Sequence, residues 1–435
     1  MQLGLWIGLC FAAAFLLRSR PRILVGSVLA LWFLVPAVGS QVVTGVPSGP
    51  LSLHAASWLI LAVFLARLLD APAAFGQVLG RHFVLFLALA VVVAAAVLAS
   101  RAADSGGGMV LLADQIVAPV LFFFLLLTLS ITDAGLAVWL RNLLLWLVAA
   151  VCAVALLQWL THSPLVYEQG FSKQYWYKPE NNRWMGTLDQ PLALSLVIVA
   201  VAPLVAGLKR NLVQLVLLVL MIVGILITQS RAGLVVLAAC VAVVVLFARR
   251  PAWLKGILLA LIAAAAILIT TSPLIEGVVG RIEDDTGSTE ARALSLQYFF
   301  NHWGDYAIAG QGSGASYRVA VQGGLETSFE NPLLMYSVDF GIAFAVLYFG
   351  TMVALLLRHG LHHRVRGLTL AAILVIAVPQ TYSSLATRSV AGILVWTVLA
   401  MLVMAAEAAR RERQEAARTA RHPEEPAGTR TAAAP

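Results

Sequence analysis

Aromatic and basic side chains alternate in the polar segment Thr161–Gln190, which separates two apolar runs. Flat rings stack on sugar faces, and cations bind phosphate. Tyr177, Lys178, Arg183 and Trp184 are therefore candidate binding residues for an anionic glycolipid head group. The alternative is an aromatic belt at a membrane surface, where Trp and Tyr are enriched. The segment holds six aromatic residues: Tyr167, Phe171, Tyr175, Trp176, Tyr177 and Trp184.

Another candidate, Arg231, follows an apolar run directly, in the sequence Thr-Gln-Ser-Arg-Ala-Gly at 228–233. A guanidinium at the edge of hydrocarbon is unfavourable unless it is paired or faces a wet cavity. Such a group can hold a diphosphate through two parallel hydrogen bonds. The alternative is an arginine whose side chain extends to the membrane surface. Ser230 and Gly233 predict a tight turn here, which favours the functional interpretation.

Acidic residues concentrate in the longer polar segment, 271–331. Five acidic residues, Glu283, Asp284, Asp285, Glu290 and Asp305, could bind a divalent cation, but the spacing does not match a calcium-binding loop. A helix start capped by the hydroxyl at 288 or 289, with the flanking Arg281 and Arg292 as ion-pair partners, explains the run more simply. The sequence therefore predicts no metal site.

Three glycines and two histidines are the remaining candidates in the two polar segments. Gly310, Gly312 and Gly314 form a GxGxG pattern that lacks the preceding strand of a nucleotide-binding fingerprint. We interpret it as a turn that lets the chain approach its neighbours closely. His162 and His302 are bases available in the polar segments, and a structural role is the simpler interpretation of each.

The composition shows what must position these residues. Of the 435 residues, 61% are hydrophobic and only 11% are charged, with a mean hydropathy of +0.90. Soluble domains carry about 25% charged residues, so the chain is an integral membrane protein. Soluble enzymes and nucleic-acid-binding modules are excluded. The cysteines Cys10, Cys152 and Cys240 all lie in apolar runs, which predicts buried thiols.

Apolar runs near the length of a membrane span predict an all-α bundle of twelve to thirteen transmembrane helices. The first two runs are short, so one of them need not cross fully. The runs are 2–17, 23–38, 55–69, 83–100, 115–131, 142–160, 191–208, 211–228, 233–248, 255–272, 332–357, 368–386 and 390–406.

Charge asymmetry between alternate loops predicts the orientation. One set of loops carries 20 basic and 7 acidic residues, and the other carries 9 basic and 14 acidic residues. Because basic loops stay in the cytoplasm, the N-terminus is predicted outside and the C-terminus inside. The polar segments 161–190 and 271–331 are then extracytoplasmic loops of a membrane domain spanning 1–406. Residues 407–435 form a cytoplasmic tail whose end has a disordered composition.

Five short motifs in a fixed order carry a resemblance to a known family. They are Arg-Trp-Met-Gly-Thr-Leu-Asp-Gln-Pro (183–191), Ser-Arg-Ala-Gly (230–233), the stretch 281–292, Gly-Gln-Gly-Ser (310–313) and the stretch 330–342, which begins Glu-Asn-Pro-Leu-Leu and ends Asp-Phe-Gly-Ile. In this order, across a core of about 183–345, the chain resembles the O-antigen ligase/polymerase superfamily of bacterial GT-C-type membrane glycosyltransferases.

The resemblance implies transfer of an oligosaccharide from an undecaprenyl-diphosphate carrier to an acceptor hydroxyl. The reaction would take place at the outer face of the bacterial plasma membrane. It implies inversion at the anomeric carbon without a cofactor or metal, with Arg183, Arg231 and Arg292 on the diphosphate. A lipid flippase and a chain-length regulator are the implied protein partners.

The family's ligases carry His-Asn where this chain has Glu330 and Asn331. This departure favours a polysaccharide polymerase, with Glu330 as the catalytic base and Asn331 as a substrate contact. The alternative for Glu330 is a carboxylate that stabilises the helix start before Pro332. Glu326 and Asp339 are the next candidates for the base.

Three other functions stay open at the level of sequence. An O-antigen ligase and a protein O-oligosaccharyltransferase share the donor and differ in the acceptor. A lipid-linked sugar transporter would need polar residues at mid-span and internal symmetry, and the central runs offer little of either.

Overall fold

The chain is a bundle of α-helices in the computed structural model, and no strand occurs among the residues that the structure describes. These are residues 1–103, 108–174, 176–247, 286–325, 328–363 and 365–421, with short pieces between 252 and 264. The described helices up to residue 171 are α1 (Gln2–Leu16), α2 (Pro21–Leu34), α3 (Ala37–Thr44), α4 (Ala55–Asp70), α5 (Pro72–Arg81), α6 (Phe83–Ala102), α7 (Gly108–Leu112), α8 (Ala118–Leu129), α9 (Leu136–Thr161) and α10 (Glu168–Phe171). A π-helical turn, Ala113–Val117, joins α7 to α8.

The second half of the chain continues the same architecture. Its longer helices are α11 (Pro191–Val201), α12 (Asn211–Thr228), α13 (Arg231–Phe247), α14 (Thr286–His302), α15 (Ala315–Gln322), α16 (Pro332–Phe340), α17 (Ile342–His359), α18 (Leu368–Ala377) and α19 (Ala391–Arg421). The helix α19 runs past residue 407, so the first part of the predicted tail extends the last helix. Residues 422–435 lie outside the described part of the chain.

The all-α integral membrane fold is confirmed. Six described helices are long and apolar enough to cross a membrane: α6, α9, α12, α17, Gly108–Leu129 and Ala391–Ala417. Two bent pairs, α2 with α3 at 116° and α4 with α5 at 102°, are further candidates. The predicted count of twelve to thirteen spans is higher because it includes apolar helices that are too short to meet the length of a span. These helices have 10–17 residues: Gln2–Leu16, Pro191–Gly207, Arg231–Val245 and Leu368–Thr381. The run 255–272 lies mostly outside the described residues.

The helices differ in how deeply they are buried. The spanning window of α19 is 89% buried, whereas that of α6 is 22% buried and exposes large apolar side chains such as Phe83 and Val84. Helices that expose such residues face lipid in a membrane protein. The last helix is therefore the axis of the bundle, and α6 lies at its periphery. The three cysteines are buried and free, as predicted.

Contacts between loops divide the bundle into two ends. At one end, ion pairs join Arg18 to Asp70, Arg22 to Asp133 and Arg81 to Glu407. At the other end, ion pairs join Arg292 to Glu330 and Arg388 to Asp114. We call the first the basic end and the second the site end. The ion pairs seen in the described residues join loops of the same group and never link the two groups.

Candidate active site

The turn between α12 and α13 places Arg231 at the start of a helix. Gln229 adopts the left-handed conformation at φ 52° and ends α12. The backbone N–H of Gly233 donates to the Ser230 hydroxyl at 3.2 Å, which caps the start of α13. A Cβ at Gly233 would overlap the side-chain oxygen of Ser195. Only a residue without a side chain fits at Gly233, because α13 packs directly against Ser195 of α11. The predicted tight turn is confirmed.

The loop 162–190 is fastened to this turn. Arg183 Nε donates to the carbonyl of Thr228 at 3.0 Å, and Gln229 Nε2 donates to the carbonyl of Asn181 at 3.0 Å. Arg183 is therefore bound to Thr228, which lies three residues before Arg231 in the chain. Two always-charged residues in neighbouring segments suit a ligand that carries more than one negative charge.

The structure corrects the expectation for Trp184. Its ring has no exposed surface, and its indole N–H donates to the Asn182 side chain at 2.7 Å. A sugar has no access to such a ring, so Trp184 anchors the loop to the core instead of forming a stacking surface. Tyr177 packs partly against the core, and burial raises the pKa of its hydroxyl. Lys178 is exposed, as a phosphate ligand at the loop surface requires.

Glu330 and Arg292 form an ion pair at the site end. Arg292 Nε donates to Glu330 Oε2 at 2.8 Å, and the two side chains are 54% and 26% exposed for Arg292 and Glu330 respectively. Within the described part of the chain, Glu330 Oε1 accepts no hydrogen bond. The guanidinium therefore orients the carboxylate while its second oxygen stays open to solvent. This arrangement, a base held by an orienting group, is common among catalytic carboxylates.

Asn331, and not Glu330, caps the following helix. Asn331 Oδ1 accepts from the backbone N–H of Leu334 at 3.2 Å, and Pro332 occupies the first helical turn. Asn331 Nδ2 donates to the carbonyl of Gln380 at 3.1 Å. Asn331 was predicted to contact substrate. Its side-chain amide instead already holds α16 to the turn at 378–381. The capping bond at this helix start belongs to Asn331, so stabilisation of the start by Glu330 would act through the helix dipole alone.

The glycine-rich segment approaches α16 as closely as predicted. A Cβ at Gly310 would overlap the backbone of Asp339, and Gly312 N donates to the Asp339 carbonyl at 2.8 Å. The Asp339 carboxylate accepts from Gly314 N at 2.9 Å and from Ser316 N at 2.7 Å. Asp339 is buried, and each of its carboxylate oxygens accepts from a backbone N–H, so it is a poorer alternative to Glu330 as a base. Glu326 and the acidic run 283–285 lie outside the described residues, and the absence of a metal site stays a prediction.

A buried polar cluster at the site end was missed from the sequence. Asp114, on the π-helical turn, accepts from Arg388 Nε at 3.0 Å, from Ser57 Oγ at 2.8 Å and from the backbone N–H of His54 at 3.0 Å. The Asp114 side chain is fully buried. The sequence signal for this cluster was Asp114 itself, a single acidic residue between apolar stretches. An acidic residue within a membrane segment marks a functional position by default.

Strained backbone is concentrated in the site-end loops. Among the described residues, six non-glycine residues have positive φ: His162, Leu165, Tyr167, Asn182, Gln229 and Glu330. Asn182 directly precedes Arg183, and Gln229 lies two residues before Arg231. Such conformations are unfavourable and persist where the surrounding structure enforces them, often at functional sites. Of the two predicted catalytic residues, Glu330 is itself in this conformation and Arg231 follows Gln229 by two positions.

Comparison with known protein families gives one match within the chain. Residues 216–349 match the family model described as O-antigen ligase. The matched segment supports the resemblance to the O-antigen ligase/polymerase superfamily. The match includes Arg231, Arg292, Glu330 and Asn331, and it ends before the 378–390 segment. No curated protein matches the chain. The family implies a multi-pass membrane glycosyltransferase that uses lipid-linked glycans.

Proposed function

We propose that this O-antigen ligase family protein is a polysaccharide polymerase. It transfers an oligosaccharide from an undecaprenyl-diphosphate carrier to a hydroxyl of a second glycan. The observation that carries the proposal is the Arg292–Glu330 ion pair, which presents a solvent-accessible carboxylate oxygen within the segment 216–349. A carboxylate in this position supplies the base that glycosyl transfer to a hydroxyl needs.

The reaction is a direct displacement at the anomeric carbon. The acceptor hydroxyl oxygen forms the new bond to that carbon, and its proton passes to Glu330 Oε1. The bond from the anomeric carbon to the diphosphate oxygen breaks, and the electron pair leaves with the lipid diphosphate. General-base assistance of this kind contributes about 10²–10⁴-fold in rate. Attack opposite the leaving group inverts the anomeric configuration.

The arginines stabilise the departing diphosphate in this proposal. Arg183 bonds to the turn that precedes Arg231, and Arg292 contacts the proposed base Glu330. Removing one well-placed donor to developing negative charge costs about 10²–10³ in rate in other enzymes. Positive charge from guanidinium groups serves here without a metal ion, and Lys178 adds a mobile charge at the loop surface.

The site end faces the outside of the plasma membrane in this proposal. The support is the charge distribution, because the loops of the basic end carry most of the Lys and Arg residues and basic loops stay in the cytoplasm. Lipid-linked substrate would then arrive from a flippase, and a chain-length regulator would act on the product.

Ligase activity is the second candidate, because the matching family model is described as O-antigen ligase. The two activities separate in the native host. Deletion of the gene should leave single repeat units on the surface if the protein is a polymerase. It should leave long chains on the carrier lipid if the protein is a ligase. Gel analysis of surface and carrier-linked polysaccharide distinguishes the two, and an unchanged profile would refute both.

A further inference from the structure

A cavity of about 390 Å³ opens between the loop 162–190 and the last two spans. Its lining includes Gln41, Trp176, Asp189, Tyr317, Thr387 and Arg388. The volume falls within the range of small-molecule sites. Most of these residues lie outside the segment 216–349, so the cavity is built mainly by parts of the chain that the family match does not include.

Arg388 is fixed in the wall of this cavity. Its Nε donates to Asp114 at 3.0 Å, and its Nη2 donates to the carbonyl of Ser52 at 2.6 Å. The side chain is 22% exposed, while that of Asp114 is fully buried. Among the described residues, no acceptor is bonded to Nη1. Asp114 therefore neutralises the charge of Arg388 from the buried side of the cavity wall. The Nη1 group of Arg388 is left as a fixed donor for a ligand.

Asp189 faces the same cavity without pairing with Arg388. Its Oδ1 accepts from the backbone N–H of Ala37 at 2.6 Å, and no described residue donates to Oδ2. Burial raises the pKa of Asp189 to about 7, although Arg388 opposes the shift. The cavity thus offers a donor on one wall and a carboxyl oxygen on another. A ligand that bridges them must itself both donate and accept hydrogen bonds.

Trp176 supplies an aromatic wall. Its ring meets Phe171 edge-to-face with centroids 5.9 Å apart, and Tyr177 in the same way at 6.1 Å. Two edge contacts hold the indole in place, and the residue remains partly exposed. An indole of this kind stacks on the apolar face of a sugar ring, for which Trp184 is unavailable.

We propose that this cavity is a subsite for one neutral sugar residue of the transferred or accepting glycan. A sugar ring presents an apolar face to Trp176 and hydroxyl groups that accept from Arg388 and donate to Asp189. A diphosphate fits poorly, because it would face the Asp189 carboxyl, and Arg388 is already balanced by Asp114. The assignment rests on the proposed function and names where that function selects its sugar.

Saturation-transfer NMR on the purified full-length protein tests the subsite without turnover. The probes are the methyl glycosides of glucose, galactose, mannose and N-acetylglucosamine, with inorganic pyrophosphate as the charged comparison. Trp176→Ala removes the stacking wall. Thr387→Trp fills the cavity and gives up one hydrogen bond, from Thr387 Oγ1 to the carbonyl of Ser384 at 3.2 Å, while it leaves Trp176, Arg388 and Asp189 in place. It therefore keeps the test valid if Trp176→Ala does not fold. Trp146→Ala is the control, since Trp146 is 62% exposed on the spanning helix α9.

We expect at least one neutral glycoside to bind the wild-type protein. Its affinity should be about tenfold weaker in Trp176→Ala, as for the loss of a central aromatic contact. The affinity should be reduced equally in Thr387→Trp. The control should match wild type. Absence of glycoside binding, or equal binding in Thr387→Trp and wild type, would overturn the subsite, as would binding of pyrophosphate alone at this cavity. Gene deletion with an unchanged polysaccharide profile would refute the proposed function while leaving a positive NMR result intact, so the two failures are distinguishable.

Discussion

Arg292 donates its Nε–H to Glu330 Oε2 across 2.8 Å, although the two residues are 38 positions apart. The bond joins α14 to the residue that precedes the Asn331 cap of α16. Glu330 itself adopts φ 47°, a conformation that non-glycine residues avoid. The carboxylate is thus held by an ion pair and by an unfavourable backbone, and both features fit a positioned catalytic group.

Arg292 should therefore contribute more to turnover than to folding. We expect Arg292→Ala to lower polymerisation by about 10²–10³-fold, because the variant loses both a charge on the leaving group and the partner of Glu330. An exposed ion pair contributes only about 0–1 kcal/mol to stability, so the melting temperature should change little. Arg318→Ala, at an exposed arginine of the same end, is the matched control. Equal activity in the two variants would remove Arg292 from the mechanism.

Arg231→Lys should lose most activity while retaining its charge. A lysine ammonium does not reproduce the planar, two-pronged donor that a diphosphate accepts. The measurement is polymer formation in the deletion strain at matched expression. Lys178→Arg is the comparison, because an exposed point charge tolerates the exchange. Wild-type polymer from Arg231→Lys would show that only charge matters at this turn.

Asp189 should make stability depend on pH. Its pKa is raised to about 7 from an unfolded value near 3.8, so between these values the folded chain keeps a proton that the unfolded chain has lost. The free energy of unfolding then falls as pH rises through this window. Asp189→Asn does not ionise, so its melting temperature relative to wild type should increase between about pH 4 and about pH 7. Asp305→Asn, at an exposed residue of the site end, controls for loss of a carboxyl. A constant difference would contradict the burial of Asp189.

The orientation is testable through cysteine labelling, because the three native cysteines are buried and give little background. A cysteine at Lys173, in the loop 162–190, should react with a membrane-impermeant thiol reagent in intact cells. A cysteine at Lys209, in the turn before α12, should react only after the membrane is opened. The reverse labelling pattern would place the Arg292–Glu330 pair in the cytoplasm and refute an extracytoplasmic reaction.

Local features of this fold followed from the sequence. The length and polarity of apolar runs predicted the helices, and the Ser230–Gly233 pattern predicted the turn that holds Arg231. The spacing of Gly310 and Gly312 predicted a close approach to neighbouring parts of the bundle, and the structure shows that the neighbour is α16. Each of these depends on a few neighbouring residues, where steric and hydrogen-bonding preferences act directly.

Contacts between distant helices did not follow from the sequence. Asp114 and Arg388 lie 274 residues apart, and helices that are apolar all round give no indication of which face meets which neighbour. For the same reason, the sequence suggested that Trp184 was a surface ring, although packing buries it completely. The Arg292–Glu330 pair was hidden in the same way, since each residue alone has an ordinary explanation at a helix start.

The central claim, that Glu330 is the base of a polymerising glycosyltransferase, is tested most directly by Glu330→Gln. The amide keeps the size of the side chain and accepts a hydrogen bond from Arg292, but it does not take a proton. Glu180→Gln, at an exposed carboxylate of the same end, is the control. Polymer formation from lipid-linked repeat units is measured with both variants folded and inserted to equal levels. We expect at least about a 10²-fold loss for Glu330→Gln and none for Glu180→Gln, whereas near-normal polymer from Glu330→Gln would contradict the account.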